Sequence, residues 1–277
     1  MRLNIGCGAV AHPDWLNLDM APRHPLAVAC DLRRGLPLAD NAADACYSSH
    51  VLEHLTRAEA DPFIAEQFRV LRANGVIRIV VPDLEVMCRD YLTQLEALRA
   101  GAAHRDFAHR FTLLEMFDQV VRDRSGGELI NVYRAARGAD VDHIRRRHGS
   151  EAEPFLSGAT AAADVLAARA RPTWAGRLRR LRQRIAAGSL AIIGGAEMQQ
   201  ALATGLFRHS GEVHRVMYDD HSVAALLRRH GFADIRVVGP RESRIPGFSL
   251  FALDAPAADA PPRKPDSLYV EAIKAVA

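Results

Sequence analysis

The strongest constraint on the fold is the stretch at residues 76–81, Val-Ile-Arg-Ile-Val-Val, nearly all apolar and β-branched and bounded by Gly75 and Pro82. A strand with one face in water alternates apolar and polar residues, whereas a strand covered on both faces has no need to. The run therefore predicts a central strand of a parallel sheet with protein packed on each side. Shorter apolar segments recur upstream, most of them ending on glycine or an acid. They are residues 3–5 before Gly6-Cys7-Gly8, 15–18 before Asp19, 26–30 before Asp31, and 45–48.

A helix is predicted between the fourth and fifth strands. Thr56 and Glu59 have capping-box spacing, Asp61-Pro62 is a second start signal, and Phe63, Ile64, Phe68 and Leu71 give an apolar face. Asn74-Gly75 is the expected stop. From about residue 85 to 215 the pattern is helical and strand signals are absent. The strand rhythm then returns, with Asp219-Asp220 capping a helix that stops at Gly231, followed by expected strands at 233–238 and 248–253. The expectation is an α/β protein. A doubly wound, mostly parallel seven-stranded sheet carries a helical insertion after its fifth strand. The sheet domain is read as 1–84 and 216–277, and the insertion, which shapes the acceptor pocket, as 85–215.

A Gly-x-Gly turn directly after a first strand lets the backbone pass close to a ligand, because glycine has no Cβ. Asp19, at the end of the second strand, can accept from both hydroxyls of a ribose, and Asp31, ending the third, from an adenine amino group. Singly each acid reads as a solvated strand end. Together, on neighbouring strand ends, they point to a nucleoside-bearing ligand. A dinucleotide fits less well, since Val10 stands where the third glycine would be and Asp19 follows Gly8 by only eleven residues.

Three segments resemble the methyltransferase type 11 family: residues 3–8 (Leu-Asn-Ile-Gly-Cys-Gly), 15–19 (Trp-Leu-Asn-Leu-Asp) and 48–55 (Ser-Ser-His-Val-Leu-Glu-His-Leu). Arg69 to Gly75 resembles that family's signature after the helix. The tail Arg263 to Tyr269 and the stretch Ser210 to His214 are similar to bacterial members found among glycan-biosynthesis functions. The resemblance implies the class I fold and S-adenosylmethionine as cofactor. It implies that Gly6, Cys7 and Gly8 run beneath the methionine part, Asp19 holds the ribose, and Met20 packs on the adenine. Asp31 and the Leu32 amide would read the adenine edge, and Ser48, Ser49 and His50 would flank the sulfonium. Two departures stand out: Asn4 where an acid is usual, and Val10 where a third glycine is usual.

Methyl transfer from a sulfonium is an in-line displacement, and a hydroxyl acceptor also needs a base. His50, Glu53 and His54 lie at i, i+3 and i+4 and would share a face if helical. His54 or His50 is the expected base, and fastening of this segment to neighbouring backbone is the structural reading of the same residues. No resident metal is expected. A divalent ion held by His50, Glu53 and His54, with His214 as a fourth ligand, is a further reading of the same cluster. Asp118, Glu128, Arg208 and His214 are candidates for contacting sugar hydroxyls.

The acceptor is expected to be a small molecule or glycan with polyhydroxylated character. Net charge is only +3 and the positive side is almost all arginine, so no nucleic-acid partner is expected. No run approaches the ~20 apolar residues of a spanning helix. No signal peptide is read at the start, and Cys7, Cys30, Cys46 and Cys88 lack disulfide or metal spacing, so a cytoplasmic protein with reduced thiols is expected. Trp174, Leu178, Leu181 and Ile185 form a stripe among arginines. That helix is expected to dock on the protein's own core, with peripheral contact to an anionic membrane or lipid-linked glycan as the other reading. A non-catalytic binding or scaffold protein that keeps the sheet is the alternative function, and a nicotinamide-dependent oxidoreductase a more distant one.

Overall fold

The structure, a computed structural model, describes residues 1–157, 174–256 and 260–275. Seven strands form one sheet: β1 Arg2–Ile5, β2 Leu16–Asp19, β3 Ala27–Ala29, β4 Ala43–Ser49, β5 Leu71–Pro82, β6 Phe232–Val237 and β7 Ser267–Lys274. Their order is β3-β2-β1-β4-β5-β7-β6. β1 to β5 pair in parallel, and β7 runs antiparallel to both β5 and β6. The expected α/β, mostly parallel seven-stranded sheet is the fold.

β5 is central, as its composition requires, and its pleat sorts it onto two faces. Ile77, Ile79 and Val81 join a core with Leu3, Ile5, Cys46, Ile64 and Leu227. That face is covered by α1 (Arg57–Val70) and α8 (Asp220–Arg229). Val76 and Val80 join Trp15, Tyr47, Phe248 and Tyr269 on the other face. Arg78 also points there and is fully buried. Its Nε meets Asp254 at 2.8 Å, its Nη1 meets Glu271 at 2.8 Å, and its guanidinium lies 4.6 Å from the Phe248 ring centroid. Glu271 is the residue facing Arg78 across the β5–β7 ladder.

The expected strand at 248–253 is instead a 3-10 turn, Phe248–Phe251, and the last strand is β7. The apolar residues at 248–253 cover a sheet face without extending the sheet, whereas Glu271 breaks the apolar signal of β7 because it faces Arg78. Asn74-Gly75 does not stop the helix. α1 ends at Val70, and β5 starts at Leu71 with an irregularity in which Ala43 pairs Leu71 and Ala45 pairs Val76. Of the two start signals for α1, Thr56 wins: its capping box with Glu59 is complete, and Pro62 is carried inside the helix.

Between β5 and α8 lie six helices among the described residues: α2 Leu84–Arg99, α3 Asp106–Val121, α4 Leu129–Ala135, α5 Ala139–His148, α6 Glu153–Leu156 and α7 Trp174–Arg208. Phe111, Leu129, Ile144 and Ala152 give α3 to α6 a core of their own. α7 is broken at Gly195. Its Leu178, Leu181 and Ile185 are 37%, 54% and 60% exposed, so this stripe does not dock on the core as expected, and the Trp174 side chain lies outside the described residues. Among the described residues, no helix is long and apolar enough to cross a membrane.

Candidate active site

Strand order reverses between β1 and β4, and the crevice outside the carboxyl ends of strands at such a reversal is where open α/β sheets bind ligands. Register brings the ends together: Ile5 pairs Leu18 on one side and Ser48 on the other. The glycine turn leaves β1 with the Gly6 and Cys7 amides donating to the Leu18 carbonyl at 2.7 and 3.2 Å. Gly6 and Gly8 both have positive φ, but for different reasons. A Cβ on Gly6 would lie 2.3 Å from Val51 Cγ2, so Gly6 is required for packing. A Cβ on Gly8 would meet nothing within 4 Å, so Gly8 fronts open space of the kind a close-lying ligand fills.

The turn is clasped from both sides. Gly8 N donates to Asp19 Oδ2 at 2.8 Å, and Ala21 N donates to Asp19 Oδ1 at 2.7 Å. Each oxygen keeps a lone pair for a ligand hydroxyl. Asn4 Nδ2 donates to the Val10 carbonyl at 2.8 Å and to Asn17 Oδ1 at 2.9 Å. An ionised acid at position 4 can donate to neither, so the departure at Asn4 holds the loop down.

Two adjoining cavities, about 300 and 500 Å³, share Gly6, Gly8, Arg23, His50, Glu151 and Lys264. The smaller adds Cys7 and Ser49 to the residues expected from sequence, and the larger adds Asp19, Met20, Asp31, Leu32 and His54. Ser48 stays out: it is 1% exposed in β4, and the pleat turns it opposite to Ser49. Asp31 is partly occupied, its Oδ1 accepting from Arg33 Nε at 2.9 Å, and that bond holds its carboxyl below the usual range. Burial, then the Asp19 charge, pushes the Cys7 thiol up to about 11, so it is no nucleophile.

Leu52–His54 is a single 3-10 turn, and His50 before it has φ 53. The helical face expected for His50, Glu53 and His54 therefore does not form. His50 Nδ1 lies 3.3 Å from Glu53 Oε1, and His50 Nε2 lies 2.8 Å from Ser267 Oγ on β7. His54 Nδ1 lies 3.3 Å from the Val213 carbonyl, and its ring stands edge-on to His214 at 4.7 Å. Burial holds His54 down to about 4, pushes His50 and His214 well below their usual value, and raises the Glu53 carboxyl to about 8. The imidazoles are thus neutral near pH 7, the form that accepts a proton.

Of the sugar-binding candidates only His214 reaches the cleft. Asp118 Oδ1 instead accepts from the Glu128 amide, Glu128 pairs with Arg124, and the Arg208 carbonyl accepts from Arg215. Asp118 and Arg208 thus brace neighbouring segments, and Glu128 forms an exposed pair with Arg124 in the turn that precedes α4. Lining residues missed from sequence are Arg23, Gln119, Arg122, Glu151 and Lys264. Lys264 carried a signal, being one of only two lysines; its Nζ lies 3.2 Å from Glu151 Oε1. Arg23 follows Asp19 by four residues and Gln119 adjoins the candidate Asp118, whereas Arg122 and Glu151 carried no signal.

Residues 3–79 match a family model described as a methyltransferase domain. No curated protein matches. A methyltransferase complexed with the Haloferax volcanii Trm112 methyltransferase activator aligns at 10% identity over 99% of this chain and 82% of that one, with a TM-score of 0.38. A SAM-dependent methyltransferase from Archaeoglobus fulgidus aligns at 12% over 99% and 85%, TM-score 0.39. One from Mesorhizobium loti aligns at 13% over 98% and 90%, TM-score 0.35. The sheet order with its reversed seventh strand and the matched domain define the class, a class I methyltransferase fold. S-adenosylmethionine is the cofactor of that class, and the matched domain supports methyltransferase activity.

Proposed function

We propose that this protein methylates a hydroxyl of a sugar or similar polyhydroxylated acceptor, as a cytoplasmic enzyme of glycan biosynthesis. The observation that carries the reading is continuity: the larger cavity runs from Gly6, Gly8 and Asp19 at the strand ends to His54 and His214. Gly6, Cys7, Gly8, Asp19, Met20, Asp31, Leu32, Ser49 and His50 hold the cofactor, and the open space over Gly8 fits a ligand lying on the turn. Ser48 contributes through the strand that presents Ser49 and His50, not through its own side chain.

S-adenosylmethionine supplies an electrophilic methyl on a good sulfonium leaving group. The acceptor oxygen takes the methyl, the carbon–sulfur electron pair returns to sulfur to give S-adenosylhomocysteine, and the hydroxyl proton passes to a neutral imidazole. His54 is the favoured base because its Nδ1 is turned to Val213, leaving Nε2 to accept. His50, joined to Ser267 and facing Glu53, is the second candidate. The residues of 85–215 that enter the cleft, Gln119, Arg122, Glu151, His209, Gly211 and Glu212 among them, shape the acceptor side.

The test is product analysis. Purified protein with S-adenosylmethionine and a pool of bacterial glycans or sugar nucleotides should form S-adenosylhomocysteine above background, less in His54→Ala. Tight cofactor binding with no turnover on any hydroxylated acceptor would instead identify the non-catalytic binding protein.

A further inference from the structure

We infer that Glu53, His54 and His214 form a binding site for one divalent first-row transition cation in the wall of the cleft. One ligand atom from each residue lies within 4.8 Å of the other two. The composition is two imidazole nitrogens and one carboxylate oxygen, a set suited to zinc, cobalt or iron rather than to magnesium or calcium, which prefer all-oxygen sites.

Two observations point to a ligand beyond the clustering itself. Glu53 is completely buried, yet neither carboxylate oxygen has a hydrogen-bond donor in place; His50 Nδ1, 3.3 Å from Oε1, forms no such bond. His214 is 3% exposed and its buried Nδ1 also has no partner. Buried polar atoms left unpaired are destabilising, and more so when charged. A cation bound in the cluster supplies the partner that the buried Glu53 carboxylate otherwise lacks.

The ligands are also held in place. Arg215 N and Val216 N both donate to the Glu53 carbonyl, at 2.6 and 3.2 Å, and His214 N donates to the Gln119 carbonyl at 2.9 Å. The 3-10 turn after β4 and the segment leading to α8 are thereby pinned edge to edge before any ion arrives. When His54 donates Nδ1–H to Val213, its Nε2 lone pair is fixed for coordination, the second-shell arrangement that metal-bound histidines commonly use. The nearby cations are already engaged: Arg122 with the Glu212 carbonyl, Lys264 with Glu151. Three protein ligands leave positions open, and His54 and His214 both face the cavity. An acceptor oxygen can enter there, with His50 rather than the coordinated His54 as the base; that role rests on the proposed methyl transfer, whereas the ion site does not.

The test is a titration of chelator-treated, full-length protein with Co2+, followed by visible absorption, and with Zn2+, followed by calorimetry. Glu53→Gln and His214→Ala are titrated alongside, and S-adenosylmethionine affinity is measured on every sample. The expected result is one equivalent of either ion, with affinity falling in both variants by at least the roughly tenfold that an outer-shell change alone costs. Failure of the folded wild-type protein to bind one equivalent overturns the site. So does binding that both substitutions leave unchanged, which would place the ion elsewhere. Cofactor binding and turnover without cobalt binding would sink the ion site and leave methyl transfer standing; cobalt binding without turnover would do the reverse.

Discussion

Asp19 Oδ2 accepts a 2.8 Å hydrogen bond from the Gly8 amide, so the acid proposed to hold a ribose also holds the turn proposed to carry the cofactor. One side chain therefore couples the shape of the loop to occupancy of the site. Asp19→Ala should lose cofactor affinity by more than an order of magnitude. It should also lose about 1–3 kcal/mol of stability, because the Gly8 and Ala21 amides lose a charged acceptor. Calorimetry with S-adenosylmethionine and urea unfolding measure the two effects. Binding that survives in the variant would move the ribose to another residue.

The two glycines of the turn should respond differently to alanine. At Gly6 the new methyl meets Val51, adding about 1–3 kcal/mol of overpacking to the roughly 1–2 kcal/mol of a left-handed backbone. Gly6→Ala with Val51→Ala should recover the overpacking part only. Gly8→Ala should cost only the backbone part, since its methyl meets no protein atom, yet weaken cofactor binding by filling the cleft. Equal stability losses at the two positions would refute this division.

Arg78 is buried between Asp254 and Glu271 under the rings of Phe248 and Tyr269. Removing one partner from a buried ionic cluster leaves uncompensated charge, so Arg78→Ala should destabilise by about 3–5 kcal/mol. Replacing all three ionic residues with apolar residues of similar volume should be far less damaging than the single change. Chemical unfolding of both variants checks the contrast.

His148 Nε2 lies 2.9 Å from buried Glu115 and 3.7 Å from Asp266, beside Arg147 and Tyr133. Desolvation pulls the His148 pKa down, but the Glu115 hydrogen bond and the Asp266 charge outweigh it and hold it above the usual value. A group raised on folding stabilises fully below its unfolded pKa, about 6.5 for histidine, and loses that contribution as pH rises through the folded value. Wild type should therefore exceed His148→Gln in stability most at pH 6 and less at pH 8.5. Urea midpoints measured across that range check this, and a difference that grows with pH would contradict it.

Sequence alone determined the strands β1 to β5, the Gly6-Cys7-Gly8 turn, Asp19 at a strand end and the capped starts of α1 and α8. Each rests on a local rule, such as hydrophobic period, chain sterics or capping chemistry, that needs no distant partner. What failed locally was decided by long-range contact. β7 was missed because its glutamate answers Arg78 across the ladder, and residues 248–253 were misread because apolar residues covering a sheet look like residues within one. The histidine cluster shows the same limit. Spacing brought His50, Glu53 and His54 together as a helical face, but a positive φ at His50 and a single 3-10 turn broke that face. Only the fold carried His214 from 160 positions downstream of His54 to 4.7 Å from its ring. Burial is likewise a property of the assembled molecule, and burial is what raises the Glu53 carboxyl and leaves its oxygens unpaired.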